Sequence, residues 1–536
     1  MADLLPQPLA DRFAEAVYRL ENERFVERLW QRDHTLWSPA PTEIANRLGW
    51  LDLLDTDEPL RRLAALADEA ETEEVAHLVL LGMGGSSLGA EALAATFGPQ
   101  EGRPRLLVLD STVPDRVRQV RAAIDPRRTW FIAASKSGTT AEVQALFDSF
   151  WGEVTATSDD PGRHFLAITD PGTPLADLAH ERGFRELFVN TPDVGGRFSV
   201  LTLFGIVPAA LAGIDVRRLL ARAERMRRAC GPQHHGLENP GLALGAYLGI
   251  AALGGQDKAT VLTPRRVAAF GLWVEQLLAE STGKRGRGIV PVAGEPFVDP
   301  AAYGDDRAFV HLRLASDPDR EVEAQAARLH AAGRPVWELT LAHPWDLGAQ
   351  FFLWQVATAV AGHLLGVHPF DQPDVESAKK STREVLAAWE RTGTLPAVTV
   401  SADFAGELAR ERPNYVALLA YLAAEPALEE TVAALRRRLV ERHHVATTFG
   451  YGPRYLHSTG QLHKGGPPGG LHVQLVSRAM ADLDIPGRRY GFATLAAAQA
   501  DGDLLALQQA GRRCVRLAPA DPTAELARMA GELQTG

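Results

Sequence analysis

Two loops in this 536-residue chain have the composition to hold a phosphate. The first, GMGGSSLG (82–89), follows the mostly apolar run His77–Leu81 and precedes an alanine- and leucine-rich segment. A buried strand, a tight turn and a helix N-terminus in that order point backbone N–H groups and a positive dipole end at whatever lies above them. The second loop, SKSGTTAE (135–142), again follows an apolar run. Ser135, Lys136, Ser137 and Thr140 offer hydroxyls and an ammonium within six residues, which suits a phosphate monoester. Thr139 and Glu142 have the spacing of a capping box. The first loop also carries two glycines of a dinucleotide fingerprint. Ser87 stands where the third belongs, however, and Asp110 closes the next strand later than a ribose-reading acid would. A dinucleotide fold does not need the second loop.

The elements that must position these loops read as β–α alternation. HLVLL (77–81), RLLVLD (105–110), TWFIAAS (129–135), HFLAIT (164–169) and ELFVN (186–190) are strand-like, with helical segments around 88–97, 114–123, 139–153 and 174–182. That pattern predicts a parallel sheet covered on both faces. ATVLTP (259–264), RAFVHLRL (307–314) and PVWELTL (335–341) predict a second sheet, divided from the first near the turn-rich CGPQHHGLENP (230–240). YVALLAYL (415–422), ATTFGYG (446–452), LHVQLVS (471–477) and CVRLAP (514–519) form a third block. Phe13, Val17, Leu20, Phe25 and Leu29 have helical spacing and mark an N-terminal helical extension.

Composition narrows the function classes. A net charge of −11 disfavours nucleic acid or an anionic membrane as the main partner, while leaving room for an anionic small molecule in a locally positive site. Two distant cysteines, Cys230 and Cys514, point to a reducing cytoplasm and to no cysteine-based metal site. The N-terminus carries acids and no apolar core, so no signal peptide is expected. FFLWQVATAVAGHLLGV (351–367) holds Gln355, Thr358 and His363 and reads as a buried helix rather than a membrane span. LRRRLVERHH (435–444) reads as a solvated helix face, and His234–His235 as linker residues.

The pair GMGGSSLG and SKSGTT resembles the sugar-isomerase domain of phosphoglucose isomerases. The resemblance continues, in the family's order, through DVGGRFSV (193–200), VEQLLAESTGK (274–284) and GVHPFDQPDVESAKK (366–380). The terminal portions look most like the isomerase half of bacterial transaldolase–isomerase fusions, without the transaldolase barrel, which would need about 250 residues. The resemblance implies two α/β/α sugar-isomerase (SIS-type) domains with parallel sheets. The expected units are an N-terminal helical extension (1–60), a first domain (61–232) and a second (233–395). A C-terminal α/β block (396–536) either completes the second domain or stands beside it.

By resemblance the activity is reversible isomerisation of D-glucose 6-phosphate and D-fructose 6-phosphate, in glycolysis and gluconeogenesis. Moving a proton between C1 and C2 through an enediolate requires a carboxylate base, a cation for the oxyanion, acid–base groups to open the ring, and a phosphate cradle. It requires no redox cofactor and no metal. The match makes Glu280 the base. Gln276, four residues earlier on the same helix, shares its edge, and Gly283 can end that helix. The match also makes Arg197, between flexible glycines and an apolar run, the enediolate cation. Lys379 matches a family lysine near the sugar ring, with Lys380 beside it as an alternative. Gly85, Ser86, Ser135, Lys136, Ser137, Thr140 and Gln276 are the expected substrate-binding residues.

The chain departs from its relatives at the ring-opening histidine. VDPAAYGDDRAFV (298–310), the corresponding stretch, has Tyr303 and no histidine, whereas RYLHSTGQLHKGGP (454–467) has a similar-looking string beyond Lys379. His457 is therefore the expected ring-opening group, with His463 or Lys464 close to the sugar, because histidine exchanges protons near neutrality without a large pKa shift. A core role for these histidines, or a zinc site with His472, is the competing reading. Three other functions stay open: a non-catalytic sugar-phosphate sensor, a nicotinamide dehydrogenase, and an isomerase for another sugar such as mannose 6-phosphate. A monomer and a homodimer are both compatible with the sequence.

Overall fold

The computed structural model describes residues 5–54, 57–477 and 480–535. Residues 1–4 of the N-terminal stretch read above lie outside the described residues. Three all-parallel sheets organise the chain. The first contains β1 (His77–Gly82), β2 (Arg105–Leu109), β3 (Thr129–Ala134), β4 (Phe165–Thr169) and β5 (Glu186–Val189), in the order β2-β1-β3-β4-β5. The second contains β6 (Lys258–Leu262), β7 (Val290–Ala293), β8 (Arg307–Leu314) and β9 (Val336–Leu341), ordered β7-β6-β8-β9. The third contains β10 (Tyr415–Tyr421), β11 (Ala446–Tyr451), β12 (Leu471–Val476) and β13 (Arg513–Leu517), ordered β11-β10-β12-β13. Every residue of β3, β4 and β10 is buried, which explains runs that are apolar throughout rather than alternating.

One strand escapes the sequence reading. β7 is only four residues long and has Pro291 inside it. It survives because it is an edge strand, where a missing N–H costs no ladder bond on the open side.

The first two sheets share one continuous core, into which the N-terminal helices Leu9–Asn22 and Phe25–Trp30 insert Phe13, Val17, Leu20, Phe25 and Leu29. The segment from 351 forms most of the buried helix Leu347–Leu365 at the centre of that core. No helix among the described residues is long and apolar enough to cross a membrane. The C-terminal block carries its own sheet and packs against both others. Ile485, Phe492 and Leu495 cover the outer face of the first sheet, while Tyr415, Leu419 and Tyr421 meet Ala279, Val290 and Val292 of the second. The basic run on helix Pro426–His443 is not wholly solvated. Arg436 is buried and donates to the carbonyls of Ala293, Gly294 and Thr447, joining the third sheet to the second.

In all three sheets the chain reverses its winding between the first and third strands of the set. In the first sheet that switch point lies between β1 and β3, and doubly wound folds bind ligands in the crevice beyond the carboxyl ends there. Both hydroxyl-rich loops leave from those two ends.

Candidate active site

The first loop is pressed against the rest of the site. Gly84 has φ +55, and a Cβ there would collide with the His457 carbonyl oxygen and stand 2.7 Å from Gln276 Nε2. A Cβ on Gly85 would overlap the Gly196 carbonyl, just before Arg197. Only glycine lets this turn sit so close to both groups. Ser86 is half-buried, whereas Ser87 is buried and turns inward to donate to the Gly84 carbonyl at 3.2 Å.

In the second loop the Ser135 and Thr140 hydroxyls are 2.8 Å apart, and those of Ser137 and Thr139 are 2.9 Å apart. The Lys136 ammonium pairs with Asp170 and donates to the Pro192 carbonyl, so it is committed to the protein. The capping box does not form. Thr140 occupies the N-cap of helix Ala141–Thr155 without a side-chain bond, and Glu142 is buried with another partner.

That partner is His457, whose Nε2 lies 2.9 Å from Glu142 Oε1 across a sequence separation of 315 residues. Gln499, on helix Phe492–Gln509, donates to the same carboxylate at 2.7 Å. Burial alone would raise the Glu142 pKa, but the His457 charge and hydrogen bond, with the Lys379 charge, hold it below the ordinary range. Burial likewise works against a charged His457. The Glu142 carboxylate outweighs it, and His457 titrates above the usual histidine range.

Glu280 and Gln276 face the same way on the wholly buried end of helix Ala269–Thr282, and Gly283 is its C-cap. Gln276 Nε2 donates to the His457 carbonyl at 2.7 Å and to Glu280 Oε2 at 3.4 Å. Gln276 Oε1 is buried and accepts no hydrogen bond from the described residues. Glu280 is 4 % exposed, and burial pushes its pKa up to about 7 against the pull of Arg197, His457 and Lys284.

Arg197 Nη1 is 3.6 Å from Glu280 Oε2. The rest of its guanidinium is fixed by Ser281 Oγ at 2.9 Å and by the carbonyls of Pro369 at 2.6 Å and Asp371 at 2.9 Å. The HPFDQ segment thus acts here through its backbone, as an aiming device for Arg197. Lys284 is buried beneath it, pairs with Asp371 at 2.6 Å, and has its pKa lowered to about 7 by burial and by the Arg197 charge.

Lys379 and Lys380 are separated by direction. Lys379 pairs with Glu376 at 2.8 Å, and its charge bears on both His457 and Glu142, whereas Lys380 faces Glu384 on the outside. His463 and Lys464 do not join the site. His463 and His472 each lie 3.2 Å from the buried Tyr415 hydroxyl, and Lys464 pairs with Asp503 at 2.6 Å inside the third unit. His457 faces Glu142 rather than these histidines, so the three do not converge. Tyr303 is a core residue of the second sheet, its hydroxyl taken by Gln325 and Val298. Asp110 is buried and paired with Arg454 at 2.6 Å, which closes it to a ribose.

Sequence reasoning gave Glu142 only a capping role and gave Lys284, Arg454 and Gln499 none. The first three lie within the strings SKSGTTAE, AESTGK and RYLH, where their proximity to chemistry was the available signal. Gln499, in an alanine-rich helix, carried none.

The fold is that of an α/β phosphosugar isomerase of the SIS type. The sequence profile of the family described as Phosphoglucose isomerase matches residues 67–289. Among similar proteins, the glucose-6-phosphate isomerase of Rubrobacter xylanophilus is 30 % identical over 381 residues, 62 % of this chain and 88 % of that one. A glucose-6-phosphate isomerase of Thermus thermophilus is 31 % identical over 394 residues, 64 % and 91 % respectively. Among solved structures, a hypothetical protein from Thermus thermophilus superposes with a TM-score of 0.61 at 28 % identity, covering 72 % of this chain and 99 % of its own. A glucose-6-phosphate isomerase from Chlamydia trachomatis shares the fold with a TM-score of 0.54 at 20 % identity, covering 68 % and 78 %. The chain belongs to the phosphoglucose isomerase family.

Proposed function

We infer that this protein interconverts D-glucose 6-phosphate and D-fructose 6-phosphate, as an aldose–ketose isomerase. One observation carries the reading. A buried carboxylate poised near neutrality, Glu280, lies beside a guanidinium and is joined through Gln276 to a histidine–carboxylate pair. A sugar-phosphate sensor needs the two loops but none of these groups.

In this reading the N–H of Gly85 and the hydroxyls of Ser86, Ser135, Ser137 and Thr140 hold the phosphate. Lys136 contributes only by exchanging Asp170 for it. Protonated His457, held by Glu142, gives its proton to the ring oxygen as the C1–O5 bond breaks and takes up the proton that leaves the C1 hydroxyl as the aldehyde forms, and Lys379 steadies the sugar nearby. Glu280 then takes the proton from C2 and returns it at C1, while a proton passes from the C2 hydroxyl to O1. Arg197 neutralises the enediolate oxygen between the two transfers, already aimed by three fixed bonds, so little reorganisation is needed when charge develops. The free acceptor Gln276 Oε1 suits a substrate hydroxyl. All these groups come from one chain, so both monomer and homodimer fit the reading. With His457 supplied by the C-terminal block, we place the chain nearest the isomerase half of transaldolase–isomerase fusions, and we keep the units 1–60, 61–232, 233–395 and 396–536.

The test is formation of fructose 6-phosphate from glucose 6-phosphate by the wild type and by Glu280→Gln, with mannose 6-phosphate in parallel. Wild-type turnover lost in the variant supports the mechanism. Activity that survives the substitution overturns it, and preference for mannose 6-phosphate redirects the substrate.

A further inference from the structure

We propose that Arg454 is the positioning residue for ring opening: its ion pairs with Asp110 and Glu91 dock the turn that carries His457 onto the first sheet. The proposal rests on the ring-opening role given to His457 above.

The turn Arg454–His457 is a single 3-10 turn directly after β11. On its own it has little to hold it, since it comprises four residues in a loop. Each of the three sheet units nevertheless grips it. Arg454 Nε lies 2.6 Å from Asp110 Oδ2, at the carboxyl end of β2, and Nη2 lies 2.8 Å from Glu91 Oε2, in the first turn of helix Leu88–Phe97. Next along, the Tyr455 hydroxyl donates to Asp503 at 2.6 Å, tying the turn to its own unit. Gln276, from the second sheet's helix, donates to the His457 carbonyl at 2.7 Å. Of these three ties, the Arg454 cluster is the ion-paired one, and it joins the turn to the unit that also carries Glu142.

One guanidinium lies between two carboxylates, and Asp110 is buried, so charge holds the arginine stem toward the first sheet. Arg454 is three residues before His457 in a turn of three residues per repeat, so both side chains project from the same side, toward the first sheet. Displacing Arg454 therefore displaces the imidazole from Glu142, while Glu280 and Arg197, held by other elements, stay where they are. Asp110, set too late in the chain to read a ribose, has a different task, holding the turn that carries His457 in place.

The experiment separates ring opening from proton transfer. In a Glu280→Gln background, where isomerisation is silent, exchange between the α and β anomers of glucose 6-phosphate is followed by NMR exchange spectroscopy. His457→Gln, Arg454→Gln and the pair are compared. The expected result is at least a 10-fold fall in catalysed exchange for Arg454→Gln, with the pair no slower than His457→Gln, because coupled residues are non-additive. With Glu280 intact, Arg454→Gln is expected to isomerise erythrose 4-phosphate, whose phosphorylated O4 cannot close a ring, within about 3-fold of wild type. If Arg454→Gln does not fold, Asp110→Asn and Arg454→Lys are measured in the same way, and each is expected to lose exchange. Wild-type exchange in a folded Arg454 variant, additive losses, or equal losses on the open-chain and cyclic substrates would overturn the proposal. Undiminished exchange in His457→Gln would instead overturn the role of His457 itself.

Discussion

Glu280→Gln should make the protein inactive and, above neutrality, more stable. The carboxyl titrates near an ordinary 4.5 when unfolded and at about 7 in the fold, where burial opposes its charge. Its folded pKa is raised, so the native state holds a proton that the unfolded state has released between those values. Stability therefore falls as pH rises from 4.5 to 7 and levels off beyond. At about 1.4 kcal/mol per pH unit, that gap amounts to about 3 kcal/mol. Glutamine mimics the protonated carboxyl and does not bear this penalty. The variant should match wild type at pH 4 and exceed it by about 3 kcal/mol at pH 8. Urea midpoints for both proteins at pH 4, 6 and 8 give the comparison, and isomerase rates on the same samples give the catalytic side. Loss of a general base removes about 10²–10⁴-fold in rate. A variant less stable than wild type at pH 8 would refute the electrostatic reasoning even if it is inactive.

The same geometry sets three other expected outcomes. His457→Gln should slow turnover of cyclic glucose 6-phosphate by about 100-fold while sparing erythrose 4-phosphate, as compared in steady-state assays; equal loss on both would exclude ring opening. Lys284→Met breaks a buried pair with Asp371 and loosens the segment whose carbonyls hold Arg197, so kcat should fall by at least about 10-fold while KM changes little. Tyr303→Phe, in the stretch where the family resemblance led to the expectation of a histidine, should leave kcat and KM unchanged and cost about 1 kcal/mol in urea denaturation, the worth of its hydroxyl contacts.

Strand positions were legible because parallel strands buried on both faces write continuous apolar runs into the chain; β7 was not, because a four-residue edge strand can hold a proline. Within the site, Glu280 and Gln276 could be paired from sequence since helical spacing alone puts them on one edge. His457 could be named from its string, but its partner could not. A contact across 315 residues leaves no local periodicity, and Glu142 instead offered the local signature of a helix cap. His463 and Lys464 failed for the converse reason. Sharing a short string with His457 does not mean sharing a direction, and a helix turns them toward Tyr415 and Asp503. Lys136 was read by charge, and the distant Asp170 decides where that charge points.

The separation between Glu142 and His457 also orders events in time. A chain emerging from the ribosome N-terminus first can wind its first sheet and form both hydroxyl-rich loops while the histidine proposed to open the sugar is still unsynthesised. Such a nascent chain could grip a hexose phosphate and leave it closed. On the proposed mechanism, catalysis begins only when the third sheet has docked, a step that joins residues hundreds of positions apart. During that interval Glu142 has no histidine to compensate its charge. The last unit to be synthesised thus completes the electrostatic balance of the first.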